Sequence, residues 1–154
     1  MRIDQRLIDL NLRLPAPRSP AFAYVPVAVD GSLAWVSGQL PWQDDGQLPR
    51  GKLGAELSVT EGKGAAALCL LNGLSVLRAT IGTLDRVRRI VKVTGFVASA
   101  PGFVDQPAVV DGASVLIGAI FGAAGAHARS AVGVTELPRG VPVEIEFVAA
   151  LENA

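Results

Sequence analysis

The chain has 154 residues, half of them hydrophobic, and its fourteen basic side chains balance fourteen acidic ones. That length predicts one domain, residues 1–154, with a core of its own. Zero net charge gives no overall pull toward nucleic acid. A single cysteine excludes an internal disulfide, and one histidine beside one cysteine is too few for a zinc site within one chain.

The elements are predicted in chain order. Residues 1–20 read as an N-terminal extension: "DQRLIDLNLRL" has helical spacing at Leu7, Leu10 and Leu12, and the proline-rich "PAPRSPA" after it is a loop. "YVPVAVDGSLAWVSG" alternates, with Val25, Val27 and Val29 on one face, and its Asp-Gly pair predicts a hairpin returning through Leu33 to Gly38. Trp42 to Ser58 is rich in Gly and charge and reads as a loop with room for a short strand. Ser58 or Thr60 can cap a long helix whose stripe is Leu70, Leu74, Leu77 and Ile81, ended by Gly82. Cys69 lies in that apolar run, where a buried structural thiol is expected.

"VRRIVKVTGFVAS" is β-branched and predicts a strand. "PGFVDQPAVVDGASVLIGAIFGAAG" predicts a second helix, lined by Val110, Ser114, Ile117 and Phe121 and thickened by Val109, Ala113, Leu116 and Ile120. Two strands, Ala128 to Glu136 and Val141 to Leu151, joined by "LPRG", read as a closing hairpin. Two amphipathic helices cover one face of a sheet, so the expected fold is an α+β sandwich with the other face open.

No stretch reads as a bilayer span, and the charges throughout "MRIDQRLIDLNLRLP" fit no secretory signal, so a cytoplasmic protein is expected. With 18% charged residues, part of the surface is expected to be covered in an oligomer.

The closing strands carry the candidate chemistry. Alternation puts Val143, Ile145 and Phe147 on one face of the last strand and Glu144 and Glu146 on the other. On the strand before it, Val132 and Val134 share a face with Ser130, while Arg129, Ala131 and Gly133 share the other. The apolar faces are expected to meet the helices, so Arg129 and the glutamates are expected together on the open face, beside small or apolar Gly95 and Val97. An arginine there would be desolvated unless paired. Its planar fork suits a carboxylate ligand, and a nearby carboxyl can orient water or move a proton.

"ARSAVGVTELPRGVPVEIEFVA" resembles the C-terminal signature of the Rid family (YjgF, or L-PSP endoribonuclease-like proteins), and "WVSGQLP" and "KVTGFVAS" resemble its other landmarks. The match in order and spacing runs from about Tyr24 to Leu151. The resemblance implies a chorismate-mutase-like sandwich with a mixed sheet and two long helices on one face. It also implies a homotrimeric barrel with ligand clefts between subunits. The activity it implies is cofactor-free hydrolysis of reactive 2-imino or enamino acids to 2-oxo acids and ammonia. By that resemblance Arg129 clamps the substrate carboxylate and Glu144 positions water or shuttles a proton. Tyr24, Ser37 and the backbone at Ala131 line the pocket; many members have cysteine where this chain has Ala131.

A non-catalytic binder of small carboxylates is the alternative. A ribonuclease is disfavoured by neutral charge and the lack of a histidine pair. No metal, cofactor, nucleic-acid or membrane partner is expected. His127 reads as a loop or helix-end residue, with the cleft as its other possible place. Trp35 and Trp42 read as core or interface residues, with a pocket wall as their other possible place, Arg86, Arg88, Arg89 and Lys92 as a solvated or subunit-contact cluster, and Asp44, Asp45 and Glu56 as solvated loop positions.

Overall fold

A computed structural model describes residues 2–152; Met1, Asn153 and Ala154, at the ends of the predicted 1–154 span, lie outside the described residues. In chain order the elements are α1 (Ile3–Asp9), β1 (Val27–Asp30), β2 (Leu33–Gln39), α2 (Val59–Ile81), β3 (Val87–Ala98), α3 (Gln106–Phe121), β4 (Ala128–Val134) and β5 (Val143–Leu151).

Capping fixes where α2 starts and stops. Ser58, not Thr60, is its N-cap: Ser58 Oγ accepts from the Glu61 N–H at 3.2 Å, and the Glu61 carboxylate accepts from the Ser58 N–H at 2.8 Å. Gly82, at φ 89°, ends the helix. The predicted stripe of Leu70, Leu74, Leu77 and Ile81 is buried, as is Cys69, whose thiol donates to the Val143 carbonyl at 3.4 Å. α3 starts with proline in its first turn and buries Val109, Val110, Ala113, Ile117, Ile120 and Phe121.

β1 and β2 form the expected hairpin, turning through Gly31 and Ser32, with Asp30 opposite Leu33. The strand begins at Val27, leaving Val25 exposed before it. The Trp42–Ser58 stretch is a loop whose Leu53 makes isolated bridges to Leu57 and Ser99.

The last two strands are not a hairpin. The sheet order is β1-β2-β5-β3-β4: β5 lies between β2 and β3, antiparallel to both, and β4 is an edge strand parallel to β3. A parallel neighbour needs a crossover, and α3 supplies it between β3 and β4. A tight turn at Pro138–Gly140, with Arg139 and Gly140 at positive φ, then carries the chain past β3 to the middle of the sheet. Burial explains the choice: alternate β5 side chains Val143, Ile145, Phe147 and Ala149 all lie in the core, whereas β4 is half exposed.

α2 and α3 pack on each other and on one face of the sheet, giving the predicted two-layer sandwich. Two helical segments, Val59–Ile81 and Gln106–Gly125, are long and apolar enough by length and composition to cross a membrane. This corrects the expectation that no stretch is. In α2 that apolarity has a structural use, since most of its apolar stretch is buried in the sandwich.

Candidate functional site

Register decides which side chains share a face. β4 pairs Val93 with Arg129, Gly95 with Ala131 and Val97 with Gly133. Val93 and Val97 are fully buried beneath the helices, so Arg129, Ala131 and Gly133 face α3. Ser130 and Val132 face the open side, where Val132 is 43% exposed. The parity expected from the valines is therefore inverted. β4 lies close under α3, and that face needs small residues: a Cβ on Gly133 would lie 2.7 Å from Gln106 Nε2, and Ala131 packs against the core. Gly95 and Val97 likewise lie on the helix side.

Arg129 is not isolated. Its Nη1 donates to Asp111 Oδ1 at 2.7 Å and to Ser114 Oγ at 3.1 Å, and its Nη2 donates to the Pro107 carbonyl at 3.3 Å. Pro107, Asp111 and Ser114 sit at i, i+4 and i+7, one stripe of α3 facing β4. A guanidinium has five N–H donors. Three are used here, and two, including Nε–H, have no partner among the described residues. The side chain keeps 23% exposure.

Glu144 and Glu146 lie on the open face as expected, opposite Phe96 and Thr94 of β3. Glu144 packs onto Gly38 of β2, beside the bulge between Val36 and Gln39. A Cβ on Gly38 would lie 2.9 Å from Glu144 Cδ, so the glycine makes room for the carboxyl. Burial, and then the charge of Glu146, push the Glu144 carboxyl above its ordinary 4.5. An acid raised in the folded state favours folding in its protonated form. The wild type carries no penalty from Glu144 below about 4.5 and gains one as pH rises through the raised value. Glu144→Gln is therefore expected to raise the Tm at neutral pH, with the gap closing near pH 4; thermal unfolding across that range checks it.

Tyr24 and Ser37 meet in a cleft of about 590 Å³ on the open face, with Trp35, Lys92, Thr94 and Glu146 among its walls. Ser37 Oγ donates to the Val25 carbonyl at 2.7 Å, fixing the segment that carries Tyr24. Trp35 is 53% exposed and belongs to this wall, not to the core. Trp42 is half-buried, with the Arg18 guanidinium 4.1 Å from its ring centroid and that of Arg139 at 5.5 Å. Lys92 leaves the proposed basic cluster to donate to Ser130 Oγ at 2.8 Å, and Arg86 and Arg89 donate to the Ile81 and Ala126 carbonyls. Asp45 and Glu56 accept from nearby loop N–H groups.

The predicted residues therefore fall into separate places within one chain. Tyr24 and Ser37 share the open cleft. Glu144 lies on the same face beside Gly38. Arg129 and Ala131 lie on the opposite face, toward the far edge of the sheet. Sequence reasoning missed Asp111, although its spacing to Ser114 puts both on one face of α3. It also missed Lys92 as a cleft residue, although alternation with Val93 gave that signal. No cluster of three or more metal-ligating side chains occurs among the described residues.

This sandwich and these landmarks agree with known proteins. The family described as "YjgF/chorismate_mutase-like, putative endoribonuclease" matches residues 4–142. The chain belongs to the YjgF/chorismate-mutase-like family, and its fold is that of the family. It is 46% identical over 153 residues to Protein TCP17 of Trypanosoma cruzi, covering 99% of this chain and 96% of that one. The crystal structure of Atu1372 from Agrobacterium tumefaciens is 40% identical with a TM-score of 0.89, covering 97% of this chain and 92% of that one. A Shewanella oneidensis structure described as a putative endoribonuclease is 32% identical with a TM-score of 0.93, covering 98% and 100%.

Proposed function

We propose that the protein hydrolyses small 2-imino or enamino acids to 2-oxo acids and ammonia, without a cofactor, in a cleft completed by a second copy of the chain. The observation that carries this reading is the Arg129 guanidinium, pinned to α3 by three hydrogen bonds with two N–H groups left for a ligand. A fixed planar donor pair suits a carboxylate. The substrate class is the one that the resemblance of the closing strands implies. Escherichia coli TdcF, which shares the fold at 24% identity and a TM-score of 0.65 over 91% of this chain and 96% of its own, has a structure with bound serine.

In this reading Glu144 takes a proton from water as the water adds to the C=N carbon. It returns the proton to nitrogen, and the carbinolamine collapses to the 2-oxo acid and ammonia. A carboxyl raised by burial is suited to give and take a proton closer to neutral pH than an ordinary glutamate. Arg129 and Glu144 occupy opposite sheet faces, so one ligand reaches both only if Glu144 comes from a neighbouring copy. A homotrimer closed through the open sheet faces, with the edge strand β4 near a neighbour's cleft, meets that need. The test is ammonia release from 2-iminobutyrate by the purified protein. Turnover no faster than in buffer rejects the reading.

The same separation favours a second reading, a non-catalytic binder of 2-oxo acids that uses Arg129 and not Glu144. Calorimetry with 2-oxobutyrate on Glu144→Ala, alongside the hydrolysis assay, separates the two: unchanged binding with no turnover in either form selects the binder.

Asp111 already holds one negative charge against Arg129. In either reading Asp111→Asn keeps the hydrogen-bond acceptor and removes the charge that competes with the ligand. It is expected to tighten 2-oxobutyrate binding about fivefold, the effect of roughly 1 kcal/mol from one partly screened charge; calorimetry checks it.

A further inference from the structure

His127 stands at the entrance to β4, bonded at both ring nitrogens. Its Nδ1 lies 2.6 Å from the Gly125 carbonyl oxygen, and its Nε2 lies 2.9 Å from Ser114 Oγ. Gly125 ends a short 3-10 turn, Gly122–Gly125, that presses on α3: a Cβ there would lie 2.8 Å from the Ile117 carbonyl oxygen. The glycine lets this carbonyl come close enough to set the ring.

The network assigns the protons. The Gly125 carbonyl only accepts, so Nδ1 carries the hydrogen and donates to it. In the neutral ring Nε2 is then bare and accepts the Ser114 hydroxyl proton. Ser114 Oγ, its hydrogen committed, turns its lone pairs toward Arg129, whose Nη1 donates to it at 3.1 Å. The other Nη1 hydrogen goes to Asp111. One directed chain thus runs from the Gly125 carbonyl through His127 and Ser114 to the guanidinium, and each bond polarises the next.

We propose that Ser114 and His127 are positioning residues for Arg129: the imidazole orients the serine hydroxyl, which fixes the guanidinium so that its remaining N–H groups face the ligand. This role rests on the reading of Arg129 as a carboxylate clamp. Asp111 alone supplies charge but allows the guanidinium to pivot about one contact; Ser114 adds a second on the same nitrogen. With the Pro107 carbonyl on Nη2, the plane of the fork is set from three directions.

The experiment combines two readouts on wild type, Ser114→Ala, His127→Ala and His127→Gln, each first shown to be folded by circular dichroism. Heteronuclear NMR of the guanidinium nitrogens, with Arg129 assigned through its loss in Arg129→Lys, reports rotation about the Cζ–Nε bond without any ligand. Calorimetry and kinetics report Kd for 2-oxobutyrate and KM and kcat for 2-iminobutyrate. Ser114→Ala and His127→Ala are expected to speed the rotation and to raise Kd and KM about tenfold, the worth of one charge-assisted hydrogen bond, with kcat changing less.

His127→Gln, whose amide oxygen can accept the serine hydroxyl, is expected to restore both readouts to within about twofold. Ser114→Ala added to Arg129→Ala is expected to change nothing further. Unchanged rotation and unchanged Kd in Ser114→Ala and His127→Ala overturn the proposal, as does failure of His127→Gln to recover. If Arg129→Ala leaves binding intact, the clamp reading falls, while the rotation measurement still decides whether the chain holds the guanidinium.

Discussion

Arg129→Ala is expected to lower kcat/KM for 2-iminobutyrate about a hundredfold, from the loss of two hydrogen bonds to a carboxylate worth roughly 1.5 kcal/mol each. Those two are the N–H groups that α3 leaves free. Stability should change little. Asp111 is half-exposed and regains water, and Ser114 keeps His127 as partner, so the partly exposed pair contributes on the order of 1 kcal/mol or less. A large loss of activity without a large loss of Tm separates clamping from support of the fold. Arg129→Lys keeps the charge but not the fork, and recovery of only part of the activity is expected. Equal turnover by wild type and Arg129→Ala removes the arginine from the mechanism.

Gly112→Ala is expected to be the most damaging small substitution on α3. A Cβ at Gly112 would lie 2.7 Å from both the Cα and the carbonyl carbon of Lys63, and this is α2 backbone that cannot rotate aside. The helices must separate, at a cost of about 3 kcal/mol and a Tm lowered by roughly 10 °C for a chain of this size. Gly118→Ala, on the same helix, is the control: nothing lies within 4 Å of its Cβ. There alanine should be neutral or stabilise by about 0.5–1 kcal/mol through helix propensity. Thermal unfolding of the pair is the measurement, and a Gly112→Ala Tm within two or three degrees of wild type would show that the helices do not meet as described. Gly112 lies between Asp111 and Ser114, so moving α3 outward should also free Arg129 and weaken ligand binding.

The long helices were legible because their signals are local. Ser58 and Glu61 mark the start of α2, Gly82 marks its end, and the leucine spacing gives the buried face. The Arg/Glu pattern on the closing strands was legible as chemistry but not as geometry. Alternation assigns side chains to two faces without saying which face is covered. Val132 and Val134 pointed to one answer. Close packing of α3 over Ala131 and Gly133 gave the other, since helix–strand approach favours small side chains and α3 supplies Asp111 and Ser114 to hold the arginine. The turn at Pro138–Gly140 looked like a hairpin because a short turn between two strands predicts adjacency. Nothing within "LPRG" reports that β3 lies between them, because strand order is set by long-range burial of β5.

The fit of Gly38 against the Glu144 carboxyl has an evolutionary corollary. A side chain at position 38 meets the end of the Glu144 side chain, which must then move aside. Among descendants of this chain the two positions should drift as a couple, with a bulkier residue at the first favoured where the second has shortened or turned away. Lineages that lost the acid would then be recognisable by what replaced the glycine.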